Sequence, residues 1–389
     1  MLDIPLMQNN INKSDKDALI DFLQHSDRFT NGEKVREFES LWSQWLTGGY
    51  DCLFVNSGSS ANYITMAAVK ELYGGGEVIV SPIGWTSDVA AVITAGLNPV
   101  FADVNLNSLA MNENEVIAKI TDRTRAVLLT HVLGYNGLSD QILKICREKN
   151  ILLIEDVCES HGAQFQGQRC GSFGDISNFS FYYAHHMSTI EGGMICTKDK
   201  ELYRLMRMYR SHGMLRECGD KAYIRQISGR YPQVHEEFIF TVPGYNMRST
   251  ELNAVIGINQ LKRLDENIRK RQENYELFIS LLDSEKYYTG FDHAGNSNYA
   301  FVVMPNPAKR GLYSRMIAAL QSEKVEFRRG TAGGGNMVRQ PYVQKRYPDL
   351  CPEDYPNAEY IHENGVYTGN YPDLEQDKIR DLCSLLNSL

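Results

Sequence analysis

Between residues 50 and 200 the chain alternates short apolar runs with longer segments of helical periodicity. The runs Leu53–Asn56, Glu77–Ser81, Pro99–Val104, Ala126–His131, Ile151–Asp156 and Ile176–Phe181 have the length of strands. Strands that are apolar at nearly every position, rather than at alternate ones, belong to sheets covered on both faces. The order strand, helix, strand therefore predicts an α/β fold with a mostly parallel mixed sheet and flanking helices. Over Glu251–Leu282 the apolar residues Leu252, Val255, Ile256, Leu261, Leu264 and Ile268 recur at helical spacing with charges between them. That spacing predicts one long amphipathic helix. Beyond it, Tyr299–Met304 reads as a strand and Leu312–Glu323 as a helix, the parts of a smaller α+β unit. The expected division is a large domain over 1–250, followed by a linking helix and a small C-terminal domain over 251–389.

Length and charge narrow the possible partners. With 389 residues the chain supports two or three domains of ~100–200 residues each. Its formal net charge of −8 argues against a surface built to neutralise nucleic-acid phosphates. No apolar stretch approaches the ~20 residues of a membrane span. Met1-Leu2-Asp3-Ile4-Pro5-Leu6 lacks the basic segment and apolar core of a secretion signal, so a cytoplasmic location is expected. The eight cysteines are scattered without a Cys-x-x-Cys pair, which leaves neither a zinc site nor an iron–sulfur cluster its usual local spacing. No metal is expected, and most cysteines read as small buried hydrophobes.

Four segments carry candidate chemistry. Asn56-Ser57-Gly58-Ser59-Ser60 follows an apolar strand and precedes a helical stretch, where free amides and the helix dipole would face an anion; a plain helix cap is the alternative. In Ser81-Pro82-Ile83-Gly84-Trp85, the indole at a strand end is either a core tryptophan or a flat face for an aromatic ring. Asp156 closes the apolar strand Ile151–Asp156, where an unpaired charge would be costly. A protonated pyridine nitrogen, an ion pair or a metal would each satisfy it. Gly244-Tyr245-Asn246-Met247-Arg248 is a turn that offers an amide and a guanidinium to anions. Gly333-Gly334-Gly335 marks a flexible loop.

These segments, in this order, together with Ser180-Phe181-Tyr182-Tyr183-Ala184-His185-His186-Met187-Ser188-Thr189-Ile190-Glu191-Gly192-Gly193, resemble the fold-type-I pyridoxal-phosphate enzymes of the sugar aminotransferase family, which act on nucleotide-linked 4-keto sugars. In that family a lysine six residues before Glu-Gly-Gly holds pyridoxal phosphate (PLP) covalently. Here that position is His185, and no lysine occurs between Lys149 and Lys198. The exchange resembles the 3-dehydratase branch of the family. An imidazole moves protons but cannot exchange covalently as an amine does, so His185 is expected to be an acid/base catalyst.

The resemblance implies further roles. Gly58, Ser59 and Ser180 would hold the cofactor phosphate, with Asn246 reaching in from a second subunit of a homodimer. Trp85 would stack on the ring, Asp156 would pair with its nitrogen, and Glu159 would lie near its hydroxyl. Phe29, Thr30, His212, Arg216, Arg248 and Glu326 match positions that face the sugar nucleotide or the amino donor. For Arg216 a solvated basic face is the competing reading. The implied cofactors are PLP and pyridoxamine phosphate, and the implied reactants are a nucleotide-linked 4-keto-6-deoxy sugar, GDP-linked for preference, and L-glutamate. Dehydratases served by an iron–sulfur reductase carry a cysteine-rich segment that is absent from 206–245, where only Cys218 occurs. Two rival readings remain: a sugar aminotransferase without a covalent anchor, and a catalytically silent sugar-nucleotide-binding protein.

Overall fold

The computed structural model describes residues 1–309 and 311–389. Its main sheet has seven strands: β1 (Asp51–Val55), β2 (Glu77–Val80), β3 (Asn98–Phe101), β4 (Thr124–Thr130), β5 (Leu152–Asp156), β6 (Ile176–Ser180) and β7 (Gly193–Thr197). They lie in the order β1-β7-β6-β5-β4-β2-β3, and β7 alone runs against its neighbours. All six expected strands form. The seventh, β7, begins in the Glu-Gly-Gly motif, where Gly193 must pack against the carbonyl of Ser57; a Cβ there would come within 2.4 Å of that oxygen.

Alternation within the strands divides the core. Leu53, Val55, Val78, Val80, Leu128 and Ile154 point into one apolar cluster. Phe54, Ile79, Val127, Leu129, Leu153 and Phe179 point into the other. Because both faces are covered, these strands read as unbroken apolar runs.

The expected single helix over 251–282 is two helices, α1 (Glu251–Leu261) and α2 (Leu264–Leu281), with Arg263 out of helical geometry at φ −118°, ψ 5°. The break has a tertiary cause. The Arg263 guanidinium donates to both oxygens of the fully buried Asp15, at 3.0 and 2.6 Å, and to the carbonyl of Asn10 at 2.9 Å. Burial opposes ionisation of Asp15, yet hydrogen bonds from Arg263 and Asn259 hold its carboxyl below the usual range. Apolar periodicity continues through the break, so the pattern alone could not reveal it.

The small unit is a three-stranded antiparallel sheet of β8 (Ala300–Val303), β9 (Phe327–Arg329) and β10 (Val366–Gly369), in the order β8-β10-β9. The N-terminal segment crosses to this unit, where Ile4 bridges Val325. No helix among the described residues is long and apolar enough to cross a membrane.

Candidate active site

The carboxyl ends of β1, β2, β4, β5 and β6 open on one side of the sheet, where open α/β folds bind their ligands. A cavity of about 1020 Å³ lies there, closed on the far side by Arg328, Arg329 and the 331–334 loop of the small unit. Seven of the expected residues line it: Gly58, Ser59, Trp85, Asp156, Glu159, Ser180 and His185.

The anion cradle follows from the end of β1. Ser57 caps the helix Gly58–Tyr73, its hydroxyl accepting from the amide of Ser60 at 3.0 Å. Gly58 and Ser59 occupy the first helical positions, whose amides have no intrahelical acceptor. A Cβ on Gly58 would stand 2.6 Å from the Cβ of Ser180, so the approach of these two strand ends requires glycine. Gly58→Ala should therefore lower stability by about 1–3 kcal/mol, read as a fall in the denaturant midpoint of the ligand-free protein.

At the end of β5, Asp156 is buried with no basic side chain as partner among the described residues. Its Oδ2 accepts from Asn62 Nδ2 at 2.8 Å and its Oδ1 from the amide of Cys158 at 2.9 Å. Glu159 is raised to about 7 by burial; the amide of Leu133, 3.0 Å from Oε2, works against the shift and the charge of Asp156 adds to it. Trp85 is 54% exposed beside the cavity, so it is not a core residue.

The two histidines of the His-His pair separate in role. His186 is buried and bonded through Nε2 to the carbonyl and hydroxyl oxygens of Ser297, at 2.9 and 3.0 Å, which fixes it in the packing. His185 faces the cavity, and its Nδ1 is buried with no hydrogen-bond partner among the described residues. Burial, helped by the positive charge of Arg271, pushes its pKa down to about 3. At neutral pH the imidazole is uncharged and able to accept a proton.

The other expected residues lie outside this cavity in the single chain. Phe29 packs edge-on against Phe22 at 6.0 Å, and Thr30 is exposed beside it. Arg248 donates to Asn246 Oδ1 at 3.1 Å on the exposed turn. Arg216 sits over the ring of Phe238 at 5.9 Å, and His212 is exposed in a left-handed conformation at φ 62°. Glu326 accepts from the amide of Leu6 at 2.8 Å and so pins the N-terminal segment that forms part of the cavity wall. A cluster of His131, Glu155 and Cys170 has the spacing of metal ligands. Its hydrogen bonds are internally satisfied, with Glu155 accepting three backbone amides and His131 Nδ1 accepting the amide of Gly137.

The family model for the DegT/DnrJ/EryC1/StrS aminotransferase family matches residues 9–387. The chain belongs to this family. Among curated members it is 31% identical to GDP-4-keto-6-deoxy-D-mannose 3-dehydratase of Escherichia coli O55:H7 over 379 residues, covering 95% of this chain and 96% of that protein. It is 30% identical to the protein of the same name from Yersinia pseudotuberculosis, covering 99% and 98%. A solved structure of the E. coli dehydratase with bound hydrated PLP superposes with a TM-score of 0.90 at 30% identity, covering 99% of this chain and all of that one. Another structure of a dehydratase of this name, holding a trapped PLP-glutamate geminal diamine, gives 0.88 at 29% identity, covering 98% and 100%. Helicobacter pylori PseC, an aminotransferase 20% identical, shares the fold at 0.87. The motif resemblance to this aminotransferase family thus extends over nearly the whole chain.

Within the cavity of this family member also stand residues to which the sequence assigned no individual role: Asp88, Thr130, Tyr182, Tyr299, Arg328 and Arg329. Asp88 lies in the first turn of the helix Thr86–Thr94, Thr130 at the end of β4 and Tyr299 just before β8, while Tyr182 belongs to the Ser180–Gly193 segment and Arg328 and Arg329 are neighbours on β9. Only Arg328 and Arg329 carried a visible signal, as adjacent cations before the glycine-rich loop.

Proposed function

We propose that this chain is a PLP- and pyridoxamine-phosphate-dependent 3-dehydratase, a lyase that removes the C3 hydroxyl of a GDP-linked 4-keto-6-deoxy sugar, uses L-glutamate as amino donor and releases ammonia. The observation that carries the reading is His185, an uncharged imidazole facing the cavity at the position where the family has its anchoring lysine. Relatives named for this activity, one with hydrated PLP and one with a PLP-glutamate adduct, support it.

The residues present fit the cofactor. The glycine-dependent cradle at Gly58, with the Ser59 amide and Ser180 hydroxyl, suits a phosphate. Asp156, buried without a cationic partner among the described residues, suits a ring nitrogen carrying a proton. Trp85 offers a ring face, and Glu159, with a pKa about 7, can accept or donate a hydrogen bond at a ring hydroxyl. When bound, the group supplies an amine for the sugar ketone and a protonated ring that withdraws electrons.

His185 then does the proton work. As a neutral base it takes a proton from carbon, and as the resulting acid it hands a proton to the departing C3 hydroxyl. Having no ε-amine, it cannot form a covalent bond to the cofactor, so His185 does not compete with the sugar for it. The active unit is a cytoplasmic homodimer in which Asn246 of the partner subunit completes the phosphate site. His212, Arg216, Arg248, Glu326, Phe29 and Thr30 serve substrate or amino donor there. The product class is a 3,6-dideoxy sugar destined for a surface polysaccharide such as the O-antigen of lipopolysaccharide.

The test is mass spectrometry of the products from GDP-4-keto-6-deoxymannose, PLP and L-glutamate. The expected result is one 2-oxoglutarate and one ammonia for each 3-deoxy-4-keto sugar. An amino sugar that keeps its nitrogen would make the protein an aminotransferase, and no 2-oxoglutarate would make it a binding protein.

A further inference from the structure

Asp88 is a second carboxyl beneath the same site, in the first turn of the helix Thr86–Thr94, and is only 3% exposed. It lines the cavity next to Asp156. Its Oδ2 accepts from Thr130 Oγ1 at 2.9 Å and its Oδ1 from Asn62 Nδ2 at 3.0 Å. The same Asn62 nitrogen serves Asp156 at 2.8 Å and the hydroxyl of Ser87 at 3.2 Å. The orientation of this amide is fixed, because Asn62 Oδ1 accepts from Asn178 Nδ2 at 2.8 Å and Asn178 Oδ1 from Thr65 at 3.1 Å. Two hydrogens on one nitrogen therefore face three oxygens, two of them on buried carboxyls. Space for the Asp88 carboxyl is built in: a Cβ on Gly84 would stand 2.8 Å from Asp88 Oδ2.

Neither carboxyl has a Lys, Arg or His partner among the described residues. The titratable groups around Asp88 are Asp156 at the end of β5, Cys158 and Glu159 just beyond it, and Tyr342, whose hydroxyl lies 3.2 Å from Thr86 Oγ1. None of these is a cation. Two like charges side by side in a buried site cannot both persist, so one proton stays with the pair.

We infer that Asp88 is a positioning residue, a neutral acid that donates its proton in a hydrogen bond to Asp156 and so holds the one charged carboxylate of the pair toward the ring site. The aiming role rests on the proposed function, in which Asp156 meets the ring nitrogen; the shared proton does not. Burial first, and the charge of Asp156 second, raise the Asp88 pKa well above the usual carboxylate range. The folded-state value therefore exceeds the unfolded one. The stability that comes from the protonated form is complete in acid and is lost as pH rises toward the folded value.

Asp88→Asn copies the neutral donor and cannot ionise. In the ligand-free protein its Tm should match wild type near pH 4 and exceed it by roughly 2–4 °C at pH 8, the gap widening with pH. Its PLP affinity, read by spectroscopic titration at pH 7.5, should stay within about threefold of wild type, whereas Asp88→Ala should lose at least tenfold. A pH-independent Tm difference would overturn the shared proton. An Asp88→Asn variant that loses PLP as badly as Asp88→Ala, or an Asp88→Ala variant that keeps it, would overturn the positioning role. Wild-type protein that takes up no PLP would sink the proposed function and the aiming role together, while the Tm profile would still decide the proton.

Discussion

His185→Asn should hold PLP within about threefold of wild type and lower the rate of C3 hydroxyl loss by roughly a thousandfold, within the ~10²–10⁴ range of positioned acid–base groups. Asparagine fills nearly the same space and keeps a polar end toward the cavity, but it neither accepts nor releases a proton near neutral pH. The imidazole it replaces is uncharged down to about pH 3, because burial and the nearby Arg271 charge both oppose its protonation. The base form is thus present throughout the working range, and an acid limb near pH 6–7 in the wild-type rate should come from Glu159, at about 7, rather than from His185. The variant should still convert glutamate slowly if the cofactor is bound. Single-turnover mixing with the GDP-linked sugar separates the steps, and hydroxyl loss at more than a tenth of the wild-type rate would remove the histidine from the chemistry.

Asp156→Asn is expected to weaken PLP binding by about a hundredfold and turnover by at least as much. A buried positive ring would lose its counter-charge, and breaking one side of a buried pair costs about 3–5 kcal/mol. The neighbourhood adds a second consequence. Asp156 is one of the causes that keep Asp88 protonated, so its removal lets the remaining acid ionise more easily. Asp88 then becomes a partial substitute, and Asp88→Asn introduced on top of Asp156→Asn should remove most of the residual binding. Spectroscopic titration of the two single variants and the double variant measures this. Unchanged PLP affinity in Asp156→Asn would mean that the ring nitrogen lies elsewhere.

Much of the architecture was legible because it is local. Five of the six expected strands are contiguous apolar runs, the sixth, Ile176–Phe181, alternates apolar residues with Ser177, Asn178 and Ser180, and all six lie within the seven-stranded sheet. His185 stood out for the same reason, since it is fixed by its distance along the chain from Glu191-Gly192-Gly193. The break between α1 and α2 was hidden because Arg263 turns toward Asp15, a residue far away in sequence, without any lapse in apolar spacing. The residues expected at the substrate, from Phe29 to Glu326, lie outside the cavity of the single chain. There Glu326 accepts from the amide of Leu6.

By itself the sequence determined where six strands lie along the chain, the glycine beside the anion cradle, the acid at the end of β5 and the histidine in the place of a lysine. Each of these is a property of neighbours along the chain. Only the tertiary structure decided that Asp88, Asn62, Thr130 and Asp156 meet at one point. Those four residues come from separate strands and helices, and the charge each can carry depends on burial and on the others' distances, which exist only once the sheet has assembled.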